Sequence, residues 1–320
     1  MVKYSIIIPC YKAETYIASI LRTYGDSERK DFEVILVDDC SPDATYPLLQ
    51  EKTRNFTHIR VLQTDKNGGP GLARNKGLEF ATGEYILFND CDDDVDLSVL
   101  ERIDELLIDK KDVDLIVMPF QISRNGKAEL VDYYTKCKNG ERVPVELIVQ
   151  DAGGPVARVY KKEIIEKYSL EFPPRLTGED KCFVIRYLVH AENIYKLDYV
   201  YYTYIMNKQS ITHQSGVKVE NVPTTFEILQ DVYEKYFPEC LEKMFADTHL
   251  LTSAKIMFKQ KRTLKEIKKF FRRENKRYPN WIQKVEYDKQ SLYRKLIYKA
   301  MYKNRPICIK LIMWLRAKLY

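Results

Sequence analysis

Short apolar runs alternate with helically periodic stretches through the first two thirds of the chain. Tyr4–Ile8 (YSIII), halted by Pro9, reads as a buried strand, and Glu14–Arg22 as a helix with Ile17, Ile20 and Leu21 on one face. Phe32–Val37 (FEVILV) predicts a second strand that opens onto Asp38-Asp39. Ser41-Pro42-Asp43 is a turn and helix start, Leu48 and Leu49 serve the helix, and Ile59–Leu62 is a third strand. Ile86, Leu87 and Phe88 form a further strand, Leu97–Lys110 an amphipathic helix, and Val113–Met118 a strand ended by Pro119. Phe120 to Glu141 reads as loops and short antiparallel strands. Gly153-Gly154-Pro155 breaks the chain before VARVYKK, a strand leading into a helix around Ile164–Tyr168. Glu179-Asp180 precede a helix with Phe183, Ile185, Leu188 and Val189 on its core face, and Ile194–Tyr204 (IYKLDYVYYTY) reads as one aromatic strand. Such alternation predicts an α/β fold around a mostly parallel, helix-covered sheet.

The pattern changes near Gly216–Pro223. Beyond it the sequence is helical, first Phe226–Tyr236 and Leu241–Phe258, then two apolar-periodic stretches, Leu292–Met301 and Ile307–Leu319, flanked by lysine and arginine. The expected organisation is therefore a domain over 1–216, in halves 1–119 and 120–216, and a helical, basic region over 217–320. Charge sharpens this division. Residues 255–320 hold 21 Lys/Arg against four acidic residues, a balance of +17, which leaves about −11 for residues 1–254 of the net +6. An acidic first part and a basic end suit different partners. The basic end reads either as helices lying on an anionic membrane or as an ordinary helical appendage. No nucleic-acid reading module accompanies the charge.

The chemistry concentrates at the strand ends, where parallel sheets bind ligands. YILFNDCDDDVD runs a buried strand into Asp90, Asp92, Asp93, Asp94 and Asp96. Asp90 and Asp92 are two apart, so on a continuing strand their carboxylates fall on one side. Hard oxygen donors of this kind suit Mg²⁺ or Mn²⁺, above all with a substrate phosphate to complete the shell. The same cluster would also serve as a solvated helix start. Asp38-Asp39 supplies a second acidic pair on the same rim. Between them, Asn67–Asn75 (NGGPGLARN) offers tight turns, a proline for the first turn of a helix and the fixed charge of Arg74. No Gly-Lys-Ser/Thr closes it as a P-loop, and no GxGxxG follows the first strand.

Composition excludes several classes. With 45% hydrophobic and 31% charged residues the chain is that of a folded protein, and no window reads as a transmembrane span or signal peptide. Seven scattered cysteines without CxxC spacing read as free thiols in a reducing compartment, with no zinc site, and four histidines argue against a histidine-built metal centre. The 24 tyrosines can stack on sugars or bases, or equally be core.

SIIIPCYK, FEVILVDDCSPD, NGGPGLARN, GEYILFNDCDDD and GED, in this order over residues 3–182, resemble the inverting family-2 glycosyltransferases of the GT-A fold. The resemblance implies a Rossmann-like, nucleotide-diphospho-sugar-binding sheet with a helical C-terminal extension. It implies that Pro9 and Tyr11 pack against uracil, that Asp39 or Asp38 hydrogen-bonds the base or ribose, and that Asp65, Lys66, Asn67, Gly68 and Arg74 line the donor pocket. Asp90-Cys91-Asp92 looks like the family's Asp-x-Asp. Asp92, with Asp90 nearer the ribose, would hold Mn²⁺ or Mg²⁺, and Asp93 would lie near the donor sugar. Asp180 would be the general base, with Glu179 beside it. The acceptor would be a saccharide or lipid-linked saccharide at the cytoplasmic face of the inner membrane. Lys12 stands where the family usually has Asn, and Arg22-Thr23-Tyr24 where Gln-Thr-Tyr is usual. Tyr204-Ile205 replaces a frequent Tyr-Arg, which leaves Lys208 or His213 to supply that charge. The alternatives are a weakly active scaffold in a glycan-assembly complex and a metal-dependent nucleotidyltransferase.

Overall fold

A computed structural model describes the chain except for residues 1, 26, 125, 152, 175–177, 207–224, 286–290 and 320, together with the side chains at 151 and 316–319. Two compact units result, Met1–Arg175 with Glu179–Gly216, and Leu176–Gly178 with Val217–Tyr320.

The first unit is built on a seven-stranded sheet in the order β10-β6-β9-β4-β1-β2-β3. Its strands are β1 (Tyr4–Cys10), β2 (Phe32–Asp38), β3 (Ile59–Gln63), β4 (Tyr85–Phe88), β6 (Leu115–Val117), β9 (Arg158–Lys161) and β10 (Ile194–Lys196). Only β9 runs antiparallel to its neighbours, β4 and β6. Strands β1, β2 and β4 are buried at every position, because helices cover both faces. On one face Tyr4, Ile6, Ile8, Val34 and Leu36 pack with α1 (Ile17–Tyr24) and α4 (Val99–Asp109) through Ile20, Ile103 and Leu106. The opposite face takes α3 (Pro70–Phe80), which runs so close that a Cβ on Gly77 would lie 2.4 Å from Ile7 Cγ2. Helix α2 (Thr45–Thr53) follows β2, and α5 (Val145–Asp151), α6 (Lys162–Lys167) and α7 (Glu179–Leu188) complete the unit.

A second sheet, β5-β11-β7-β8, joins β5 (Asp94–Val95), β7 (Phe120–Arg124), β8 (Lys127–Val131) and β11 (Tyr202–Ile205). The stretch Ile194–Tyr204 is therefore two strands in two sheets, parted at Leu197–Tyr201. Strand β1 also continues through Pro9 to Cys10 where a stop was expected. Ile7 accepts from Asn89 N–H on the β4 side and Cys10 from Asp39 N–H on the β2 side. By alternation the missing N–H of Pro9 faces the side that β4 has already left.

The second unit is helical. It comprises α8 (Thr225–Tyr236), α9 (Leu241–Met244), a π-helical turn (Phe245–Leu251) running into α10 (Thr252–Lys259), α11 (Leu264–Arg277), α12 (Trp281–Lys284), α13 (Leu292–Tyr302) and α14 (Pro306–Leu319). Thr263 and Glu266 start α11 with a reciprocal capping box, Thr263 N–H donating to Glu266 Oε2 at 2.8 Å. Phe226, Tyr233, Phe245, Phe271, Trp281 and Tyr298 fill the core. The stretch around Gly216–Pro223, with Lys208 and His213, lies outside the described residues.

Candidate active site

Three strand ends share one rim: Cys10 of β1 pairs with Asp38 of β2, and Ile7 with Phe88, the last residue of β4. The two carboxylates after β2 have different partners. Asp39 accepts from Gly68 N–H and Gly69 N–H, the latter at 2.7 Å, and from the Thr64 hydroxyl at 3.0 Å. Asn67 Nδ2 adds a bond to its carbonyl. Asp39 thereby anchors the glycine-rich loop, and Gly69, at φ +88°, makes the turn into Pro70 and α3. Asp38 takes Ser41 N–H and Gln63 Nε2 on Oδ2 alone; its Oδ1 is buried with no hydrogen-bond partner.

Asp90, Cys91 and Asp92 lie in a turn, not on a continuing strand, because β4 stops at Phe88 and the chain re-forms a strand only at Asp94. They do not start a helix either, since α4 begins at Val99. Asn89 is fixed between the hydroxyls of Tyr24 and Tyr201. Asp93 is held by β11, accepting from the Tyr202 hydroxyl and from Ile205 N–H at 2.7 Å. Burial, then repulsion from Asp90, raises the Asp93 pKa to about 8, and the same causes raise that of Asp92. A hydrogen bond with Cys10, followed by burial, pushes the Cys91 thiol up and turns it towards β1.

Arg74 joins this turn to the start of α7. Its side chain is 2% exposed, with Nη2 donating to Asp90 Oδ1 at 2.7 Å and Nη1 to Asp180 Oδ1 at 2.5 Å. Burial opposes the guanidinium charge, but Asp180 and Asp90 outweigh it and hold its pKa above the ordinary value. Asp180 feels burial upward and Arg74 downward, and burial wins. A third of the Asp180 side chain (32%) stays exposed, so a solute can reach it.

Packing explains why α7 starts here. Phe172 stacks on Phe183 of α7 at 4.1 Å, lies beneath Arg74 at 5.4 Å, and exchanges two backbone hydrogen bonds with the Asn75 amide, each of 2.8 Å. Asn75 closes the glycine-rich stretch without a role of its own in the sequence reading, and Phe172, an aromatic before Pro173-Pro174, looks like any loop residue. Glu179 packs its stem against Gly71, whose added Cβ would meet it at 3.0 Å. Pro9 is buried and Tyr11 half-buried with the Lys12 ammonium 5.5 Å above its ring, while Asp65, Lys66 and Asn67 are exposed. The structure thus brings Arg74, Asp90 and Asp180 together directly and ties Asp39 to Gly68. Asp65 meets none of them through a described hydrogen bond.

Among the described residues no group of three or more His, Cys, Asp or Glu side chains is placed to hold a metal ion by itself. The donor set nevertheless fits a cation shared with a ligand. Asp92 takes a hydrogen bond only from its own backbone, Asp90 gives Arg74 one oxygen, and the crowded carboxylates repel one another. One or two carboxylates plus ligand phosphates is the usual way Mg²⁺ is held.

The family model for glycosyl transferase family 2 matches residues 5–169, more than half the chain. The chain belongs to this family. Poly(ribitol-phosphate) β-N-acetylglucosaminyltransferase TarS of Staphylococcus aureus is 29% identical over 223 residues, which are 68% of this chain and 38% of that protein. The corresponding β-glucosyltransferase of Bacillus spizizenii is 28% identical over 62% of this chain and 32% of its own length. The chain thus spans roughly a third of the length of these curated relatives. TarP of Staphylococcus aureus, also a poly(ribitol-phosphate) β-N-acetylglucosaminyltransferase, is 27% identical over 78% of this chain and 77% of its own. In structure, S. aureus TarS 1–349 in complex with UDP-GlcNAc superposes with a TM-score of 0.72 at 22% identity, over 99% of this chain and 92% of that one. This family member therefore has the GT-A fold, a largely parallel sheet with a helical C-terminal extension.

Proposed function

We propose that this chain is an inverting glycosyltransferase that moves a hexose or N-acetylhexosamine from a UDP-sugar to a saccharide or lipid-linked saccharide acceptor. The observation that carries this reading is the Arg74 bridge. It brings two carboxylates, 90 positions apart in the sequence, to either side of one buried guanidinium at the strand-end rim. Asp180 is the general base: its carboxylate removes the proton of the acceptor hydroxyl as that oxygen bonds to the anomeric carbon. The anomeric bond to the diphosphate breaks on the opposite face, and UDP leaves. Arg74 fixes one Asp180 oxygen and so aims the other. Burial makes the carboxylate more basic than a surface aspartate, while Arg74 keeps it from becoming neutral too readily.

Asp38 supports the nucleotide. Its unpartnered, buried Oδ1 suits the imide N–H of uracil, with Pro9 and Tyr11 on the neighbouring strand end. Asp39 is already committed to the loop that would receive the donor. Asp92 and Asp90 would hold Mn²⁺ or Mg²⁺ jointly with the diphosphate, and the bound ion offsets charge on the departing phosphate. The names of the relatives put UDP-N-acetylglucosamine and UDP-glucose first among donors to try. The acceptor would be met at the cytoplasmic face of an anionic membrane. Contact there would be peripheral, through the basic C-terminal region; among the described residues no helix is long and apolar enough to cross a membrane.

The test is a UDP-release screen over nucleotide sugars, with and without Mn²⁺, with UDP binding measured on the same samples. Turnover should depend on the metal and fall in Asp92→Ala. With acceptor, Asp180→Asn should lose about 10²–10⁴-fold in rate and still bind UDP. A chain that binds neither UDP nor any UDP-sugar would sink the proposal in favour of a scaffold.

A further inference from the structure

Large apolar side chains recur at helical spacing on an exposed face in one place among the described residues, the last two helices. Ile307, Leu311, Trp314 and Leu315 of α14 are 62%, 55%, 51% and 46% exposed. At 100° per residue these four fall within a stripe about 100° wide. The opposite side of α14, with Pro306 and Ile309, is buried against α13 and α11. Helix α14 is therefore apolar on two sides, one buried and one exposed. Leu292 and Leu296 on α13 are exposed in the same way, at 73% and 46%.

The charges on these two helices have one sign. From Ser291 to Tyr320 there is no Asp or Glu, against eight Lys/Arg. Lys299, Lys303, Arg305 and Lys310 are exposed, whereas Arg294 is already paired with Asp247 at 2.7 Å. An apolar stripe on helices whose own charges are all cations suits a surface that is apolar below and anionic above. A second copy of the same face would bring like charges together. Amphipathicity sets the mode: with the cation of Lys310 inside it, beside the apolar stripe, the helix suits lying along an interface rather than crossing it.

We propose that the outer face of α14 is an interfacial membrane anchor, with Leu311, Trp314 and Leu315 entering the headgroup–acyl boundary of an anionic bilayer and Lys303 and Lys310 meeting its headgroups. The proposal rests on the membrane-facing part of the functional reading and not on its chemistry. A chain that turns over a UDP-sugar yet ignores vesicles overturns the anchor alone, and one that binds vesicles without turnover leaves the anchor standing.

The full chain supplies its own probe, because of its two tryptophans Trp281 is 1% exposed and Trp314 half-exposed. Vesicles of phosphatidylcholine with phosphatidylglycerol should shift the emission to the blue, and bromine-bearing acyl chains should quench it. Phosphatidylcholine alone should do neither. Trp314→Phe should lose the shift and keep sedimenting with vesicles, while Leu311→Ser/Trp314→Ser should weaken vesicle binding at least tenfold. Binding that survives the double substitution without quenching means adhesion by charge alone and overturns insertion. So does a dimer that the double substitution dissolves in a chain that never binds vesicles.

Discussion

Arg74 in the first unit and Glu274 in the second pose the same physical problem with opposite sign. Their side chains are 2% and 4% exposed, and a buried charge persists only when paired. Glu274 has both oxygens engaged, Oε1 by Arg273 Nε at 2.5 Å and Oε2 by His249 Nε2 at 3.0 Å, with Arg277 at 3.7 Å. Around His249 lie the rings of Phe226, Phe245 and Phe270. Arg74 is paired as well, but Asp90 and Asp180 each give it one oxygen while staying about one-third exposed. A buried charge by itself does not mark a site. Carboxylates that stay reachable beside the buried charge do, and by that measure the first network is built for a ligand and the second for the fold.

Replacing Arg74 is the harshest test of that contrast. Arg74→Ala leaves two carboxylates facing each other and should cost about 3–5 kcal/mol of stability in denaturant unfolding. Arg74→Lys keeps the charge but cannot bridge both partners. It should fold, bind UDP as the parent does, and lose about 10²-fold in kcat through a misplaced base. Parental kcat in Arg74→Lys would show that the bridge is structural only, and the contrast would collapse.

Glu274→Gln should instead touch stability and leave turnover per folded molecule unchanged. Burial pushes the Glu274 pKa up, but His249 and Arg273 prevail and hold it at about 2. A carboxylate depressed in the folded state stabilises above its unfolded value, ~4.3, and that stability is lost as pH falls towards about 2. Parent and Glu274→Gln should differ by on the order of 2 kcal/mol at neutral pH, and the gap should close across this window. A gap that stays constant down to pH 2 would mean that packing, not ionisation, sets the effect.

Local pattern and distant pairing were unequally visible. Strands β1, β2 and β4 could be read because each holds a run of apolar residues that gives way to Pro9, to Asp38 or to Asn89-Asp90, and both of their faces are buried. The second sheet could not. Strand β5 is two residues long, and its partner β11 is hidden in an unbroken aromatic run; Thr203 pairs with Asp94 across more than a hundred positions. Likewise Asp38 and Asp39 look equivalent in sequence, and only the return of Gly68 and Gly69 to Asp39 separates them. The acidic rim was legible, and so was the fixed charge of Arg74, but not that it bridges Asp90 to Asp180.

Lys12 completes the series as a charge on the surface, where the smallest effect is expected. It follows β1 with φ +52°, a conformation that asparagine tolerates better than lysine. Its N–H donates to Ser41 Oγ at 3.0 Å, and an asparagine would keep that bond because it is made by the backbone. The ammonium 5.5 Å from the Tyr11 ring contributes about 0.5 kcal/mol at such an exposed position. Relief of backbone strain, about 1 kcal/mol, is the larger of the two. Lys12→Asn should therefore raise stability by roughly 0.5 kcal/mol and, by removing a cation beside the half-buried Tyr11, weaken UDP binding a few-fold. Lower stability would mean that the ring contact outweighs the strain. Unchanged UDP affinity would place the diphosphate beyond the reach of Lys12, and leave Arg74 as the cation of this rim that matters.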